Sequence, residues 1–145
     1  MASAREQILA AMLTALNTNR PSGVPVATRT RLALYTEGAL PAINVYPVKE
    51  QGGRIGGHAG PALRRKLAIH VDCIANGDLP DQQLDALIVW CTKTLDGNLL
   101  GGLVNSLEPG EILWQYDNAE SEYATATIQF FVDYATKTGN EEINL

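Results

Sequence analysis

The clearest pattern in the chain is the alternation in "LRRKLAIHVDCIA", Leu63 to Ala75. Leu67, Ile69, Val71 and Cys73 fall on one side of an extended backbone, and Lys66, Ala68, His70 and Asp72 on the other. That is the period of a half-buried strand. A second alternation lies in "EYATATIQFFVDYAT", Glu122 to Thr136. There Ala124, Ala126, Ile128, Phe130, Val132 and Tyr134 share one face, while Tyr123, Thr125, Thr127, Gln129, Phe131 and Asp133 share the other. "EILWQYD" (111–117) predicts the strand before it. Upstream, "RLALYT" (31–36) and "PAINVYPV" (41–48) predict two extended runs. Pro41 and Pro47 bracket the second, which marks it as short or next to a sheet edge.

Two segments carry a helical period instead. Ser3 and Glu6 have capping-box spacing, and Ile8, Leu9, Met12, Leu13 and Leu16 follow on one stripe, predicting a helix over about Ala4–Leu16. Leu84, Leu87, Ile88, Cys91 and Leu95 form the stripe of a second helix. Asp78 is its expected N-cap, Pro80 its first turn, and Gly97 its end, with Asp81 and Asp85 near the positive end of the dipole. "NLLGGLVNSLEPG" (98–110) reads as a helical turn and a loop, and residues 137–145 as a frayed polar tail. The order α-β-β-β-α-β-β predicts an α+β fold over residues 1–145: a largely antiparallel or mixed sheet with two main helices on one face.

Between the strands lies "QGGRIGGHAG", five glycines in ten residues. Its spacing excludes the phosphate-binding motifs. No glycine triplet matches a dinucleotide fingerprint, and Gly52 and Gly57, separated as in a P-loop, are followed by His58-Ala59 rather than Lys-Ser/Thr. Residues 49–62 are expected to form a flexible loop, too long and glycine-rich for an ordinary hairpin turn.

Composition narrows the function further. Eleven basic and sixteen acidic side chains give a net charge of −5, which argues against charge-driven nucleic-acid binding. The two cysteines, Cys73 and Cys91, stand at apolar positions and are expected as buried free thiols. No export signal is legible, and the apolar runs fall far short of the ~20 residues that span a bilayer, so a soluble intracellular product is expected.

Candidate chemistry is sparse, and no cofactor, metal or catalytic site is expected. His70 and Asp72, two residues apart on one strand face, have the types needed for a general base or a metal site, but no third ligand stands at metal-site spacing. Asp117, Glu120 and Glu122 cluster in a turn and have the types to take up a divalent cation, but an acidic hairpin tip is usually just solvated, and that is the reading expected here. Surfaces remain. Arg54, Arg64, Arg65 and Lys66 are available to meet carboxylates of another subunit, and Tyr123 and Phe131 place aromatics on a nominally solvated face. The expected interface residues are Arg54, His58, Arg64, Lys66, His70, Tyr123, Gln129, Phe131 and Asp133.

"LPAINVYPVKE", a long polar loop, "RRKLAIHVDCIA", "DLPDQQLDALIVW" and the closing "YATATIQFFVDYAT" together resemble the tail terminators of long-tailed bacteriophages, of the lambda minor tail protein type. The most specific pieces are Pro41-Ala42 leading to Val45-Tyr46, the strand Leu67–Cys73, and Leu79-Pro80-Asp81 before Leu84-Asp85. The resemblance implies a non-enzymatic virion protein of a phage or prophage, assembled in the bacterial cytoplasm. It implies a hexameric ring that caps the tail tube, stops its growth and faces the head–tail connector, with no nucleic-acid or membrane partner. The 49–62 loop is then expected to order against the tube or a neighbouring subunit. Two alternatives stay open: a head–tail connector or tail-completion protein of the same assembly, and a small-molecule enzyme using His70 and Asp72.

Overall fold

The computed structural model describes residues 2–30, 40–55, 62–116, 123–137 and 140–144. Helix α1 (Ala4–Asn17) starts where the capping box places it, with the Ser3 hydroxyl accepting from the Glu6 amide at 3.2 Å. Its buried residues are Ala4, Ile8, Leu9, Met12 and Leu16. Strand β1 (Ala27–Arg29) is held to the end of α1 by Asn17, whose side chain accepts from the Ala27 amide at 2.7 Å and donates to its carbonyl at 3.2 Å. This amide pair imitates a ladder rung. Strands β2 (Ala42–Ile55) and β3 (Ala62–Asn76) follow, then α2 (Pro80–Leu95), a 3-10 turn (Leu100–Gly102), and strands β4 (Ser106–Tyr116), β5 (Tyr123–Lys137) and β6 (Asn140–Asn144).

The strands form a six-stranded mixed sheet in the order β1-β2-β3-β5-β4, with β6 also on β5. Among the described residues only the β1–β2 pairing is parallel; β2–β3, β3–β5, β4–β5 and β5–β6 are antiparallel. Both helices lie on one face and seal one core, so the fold is α+β as expected. Every inward position expected on β3 and β5, from Leu67 to Cys73 and from Ala124 to Tyr134, is buried. The α2 stripe is buried as expected, and Trp90 Nε1 donates to the Leu16 carbonyl at 3.2 Å, tying α2 to α1. Cys73 of β3 and Cys91 of α2 are free and buried. Contact with the Cys91 thiol, together with burial, holds the Cys73 thiol well above its ordinary pKa. Among the described residues no helix is long and apolar enough to cross a membrane.

Several expectations are corrected. The loop expected from Lys49 is strand as far as Ile55, paired rung by rung with β3, so only 56–61 of that segment lie outside the described residues. Backbone hydrogen bonds need no side chain, so an alternating partner carries a glycine-rich strand that has little propensity of its own. β2 is therefore long rather than short. It does lie next to the edge strand, and Pro47 sits just beyond Val45, where β1 stops, followed by a bulge before Lys49.

The tail expected to fray contributes β6. Ser106 of β4 pairs with Asp133, so β5 runs past β4 and leaves ladder groups that the tail takes up. Asp78 is not the N-cap of α2. Leu79 holds that position without a side-chain bond, because the helix starts at Pro80 and the residue before a proline is disfavoured in the helical region. β4 also begins five residues before the expected 111, with a bulge between Pro109 and Ile112. The run 31–36 and the cluster Asp117, Glu120 and Glu122 lie outside the described residues.

Candidate functional site

The inner face carries one polar cluster, at the end of the sheet beside the start of α1. Glu50 on β2 faces inward opposite Leu67. It accepts from Arg5 at 2.5 Å, from Arg65 at 3.3 Å and from the Tyr134 hydroxyl. Arg65, like Arg64, was expected to be available to carboxylates of another subunit. Alternation instead puts it under the helices, where its guanidinium also reaches the Thr136 hydroxyl at 3.4 Å. Burial and the Glu50 carboxylate both raise the pKa of the Tyr134 phenol, because each disfavours the phenolate. The two arginines and the phenol satisfy a nearly buried carboxylate, which makes this a structural knot at the rim of the core.

Among the described residues the outer face carries no helix, and its polar groups are tied strand to strand. Asp72 on β3 is flanked by Asn44 and Thr127, and its two oxygens are engaged separately. One accepts from the Tyr46 hydroxyl at 3.0 Å and the other from the Thr127 hydroxyl at 2.7 Å. Burial, then the Asp72 charge, push the Tyr46 phenol up to about 12. His70 stands edge-on to the Tyr46 ring, with centroids 5.7 Å apart. The aspartate thus organises hydroxyls from two neighbouring strands, and the described residues contain no group of three His, Cys, Asp or Glu able to hold a metal ion.

Farther along this face lies a groove of 620 Å³ whose lining includes Val48, Lys66, Ala68, Gln129, Phe131 and Asp133. Phe131 forms its apolar wall and is 45% exposed. The ring is seated over Gly110: a Cβ there would lie 2.6 Å from Phe131 Cε2. The Pro109–Ile112 bulge and a glycine therefore make room on β4 for a ring carried by β5. Lys49 and Lys66 bring positive charge to the groove, Glu108 negative.

Four of the nine expected interface residues, Lys66, Gln129, Phe131 and Asp133, line this groove. Arg64 is beside it, but its guanidinium is engaged within the chain, gripping Asp133 with Nη2–Oδ2 at 2.6 Å and Nε at 3.1 Å from both oxygens. That pairing holds the Arg64 charge and raises its pKa. On the ladder the two residues are diagonal neighbours, within reach of each other without any partner subunit.

His70 shares the outer face, directly opposite Gln129. Tyr123 sits at the far end, opposite Asn76. Eight residues of strand separate it from Phe131, roughly 26 Å, so the two aromatics do not make one patch. The Arg54 side chain and His58 lie outside the described residues. Sequence reading missed the contributions of Val48, Lys49 and Gly110. The usable signal was Pro109-Gly110 directly before a predicted strand, a combination that marks bulges and edges.

No protein-family model matches the sequence, and no curated protein matches it. Among solved structures, the chain is similar to one from a particle described as "Virion of native gene transfer agent (GTA) particle", with a TM-score of 0.50 and 12% identity over 90% of each chain. At that identity the likeness is one of fold.

Proposed function

We propose that this chain is a structural component of a phage-type virion, and within it a tail terminator: a ring-forming subunit that caps the tail tube, ends its polymerisation and faces the head. The carrying observation is the correspondence of fold over 90% of both chains with a chain of a gene transfer agent virion. The resemblance of the strand and helix motifs to tail terminators adds the specific role. The role is mechanical rather than catalytic, which agrees with an Asp72 whose two oxygens are already taken by hydroxyls.

A ring needs a heterologous contact that closes after a fixed number of copies. The outer-face groove suits one side of such a contact, because it joins an exposed aromatic to charge of both signs, which fixes register. The net charge of −5 suits a conduit that must pass DNA without holding it.

The test is native mass spectrometry over a range of concentrations, with negative-stain images of the chain alone and mixed with tail tubes. Closed six-membered rings, free or seated on tube ends, are the expected result. A discrete dimer that ignores tube ends overturns the reading.

A further inference from the structure

We propose that the free edge of β4 between Ile112 and Tyr116 is a docking site for an extended segment of a partner protein that alternates basic and apolar side chains. Among the described residues β4 pairs only with β5, and no other described strand takes up the ladder groups of its second edge. Folded proteins usually guard such an edge with charge, proline or a bulge. The first half of β4 has all three, in Glu108, Pro109 and the bulge before Ile112. The second half has none of them, and it exposes Leu113 (53%), Trp114 (40%) and Tyr116 (59%).

The chemistry beside this edge selects the occupant. On the helix side, Trp114 and Tyr116 share a concavity of 750 Å³ with Asp81, Gln82 and Asp85 of α2. Two carboxylates and two aromatic side chains, with no base in the lining, favour a guanidinium or ammonium through ion pairing and cation–π contact. The α2 dipole opposes this with roughly half a positive charge at the helix start, which two full negative charges outweigh. Pairing places Leu113 opposite Thr127 and Trp114 opposite Ala126, so Leu113 points to the outer face and Trp114 to the helix side. An added strand meets the acidic concavity with every second residue and Leu113 with those between, so basic and apolar residues must alternate. Main-chain bonds to the edge supply affinity, and the alternating side chains supply selectivity. This surface is separate from the outer-face groove and does not depend on the virion reading.

The experiment maps amide and indole NMR shifts of the full chain during titration with the capped peptide Thr-Arg-Val-Arg-Val-Thr, and separately with Thr-Glu-Val-Glu-Val-Thr. Saturable shifts confined to Ile112–Tyr116, the Trp114 indole and the first turns of α2 are expected for the arginine peptide alone. An Asp81→Asn, Asp85→Asn double variant, altered only at exposed positions, should bind it about tenfold more weakly or worse. Absent or scattered shifts, equal binding of the glutamate peptide, or undiminished binding by the double variant would each overturn the proposal. So would concentration-dependent changes at the same signals without peptide, which would make a second copy of the chain the occupant.

Discussion

Phe130 and Phe131 are consecutive on β5, yet Phe130 has no exposed surface and Phe131 keeps 45% of its own. One ring lies in the core under the helices; the other rests on Gly110 at the wall of an open groove. The difference extends to the whole sheet. The inner face excludes water with apolar packing and closes its rim with the Glu50 cluster. The outer face is stabilised in the plane of the sheet, by Asp72 with Tyr46 and Thr127 and by Arg64 with Asp133. A face ordered by its own cross-strand bonds needs no covering layer, so it can remain open to a partner while staying rigid.

The largest expected effects break the inner side of this comparison. Phe130→Ala should destabilise the protein by about 3–5 kcal/mol in chemical denaturation, the range for losing a fully buried ring, whereas Phe131→Ala should cost about 1 kcal/mol or less. Equal losses would mean that the outer face is a second core. Glu50→Ala should rank next, at about 2–3 kcal/mol. That lies below the usual range for breaking a buried ion pair, because water still reaches this site in part. Glu50→Gln should lose less, since an amide oxygen still accepts from the arginines and the phenol.

Asp72→Ala, the matching outer-face test, should cost about 1–2 kcal/mol, because the freed Tyr46 and Thr127 hydroxyls remain partly exposed and can turn to water. Tyr46 sharpens the comparison through pH. Its folded pKa, about 12, stands above the ~10 of an unfolded tyrosine. The stabilisation that this shift represents is therefore complete below ~10 and is lost as pH rises through about 12. Melting temperatures between those limits should fall less steeply for Tyr46→Phe than for the parent, with Tyr134 and Cys73, shifted in the same direction, contributing to the remaining slope. Gly110→Ala should cost about 1 kcal/mol, on the scale of Phe131→Ala, since the Phe131 ring can swing away from the new methyl group. Its signature is a displaced Phe131 ring in the NMR spectrum with the core signals unchanged.

Much of the fold was legible because a hydrophobic period is a statement about each residue alone. Leu67 to Cys73, Ala124 to Tyr134 and Leu84 to Leu95 declared their buried sides without any knowledge of their partners. The outward position of Phe131 was legible for the same reason. Its seat was not, because that depends on which residue of β4 the register sets beneath the ring. Register likewise decided that Arg64 grips Asp133 within the chain, and that the inward Arg65 finds Glu50 as its partner.

The two helices, the faces of the long strands, the buried thiols and the absence of a phosphate-binding glycine motif could all be read from the residues alone. It took the assembled sheet to make Lys49–Ile55 and Asn140–Asn144 strands, to set Ala27–Arg29 parallel at its edge, and to bring Trp114 and Tyr116 into one concavity with Asp81 and Asp85. The physical reason is the same throughout. Burial follows from side chains, which the sequence spells out, whereas ladder hydrogen bonds join backbone groups that are alike in nearly every residue. Those bonds go to whichever segment the completed sheet leaves beside an open edge.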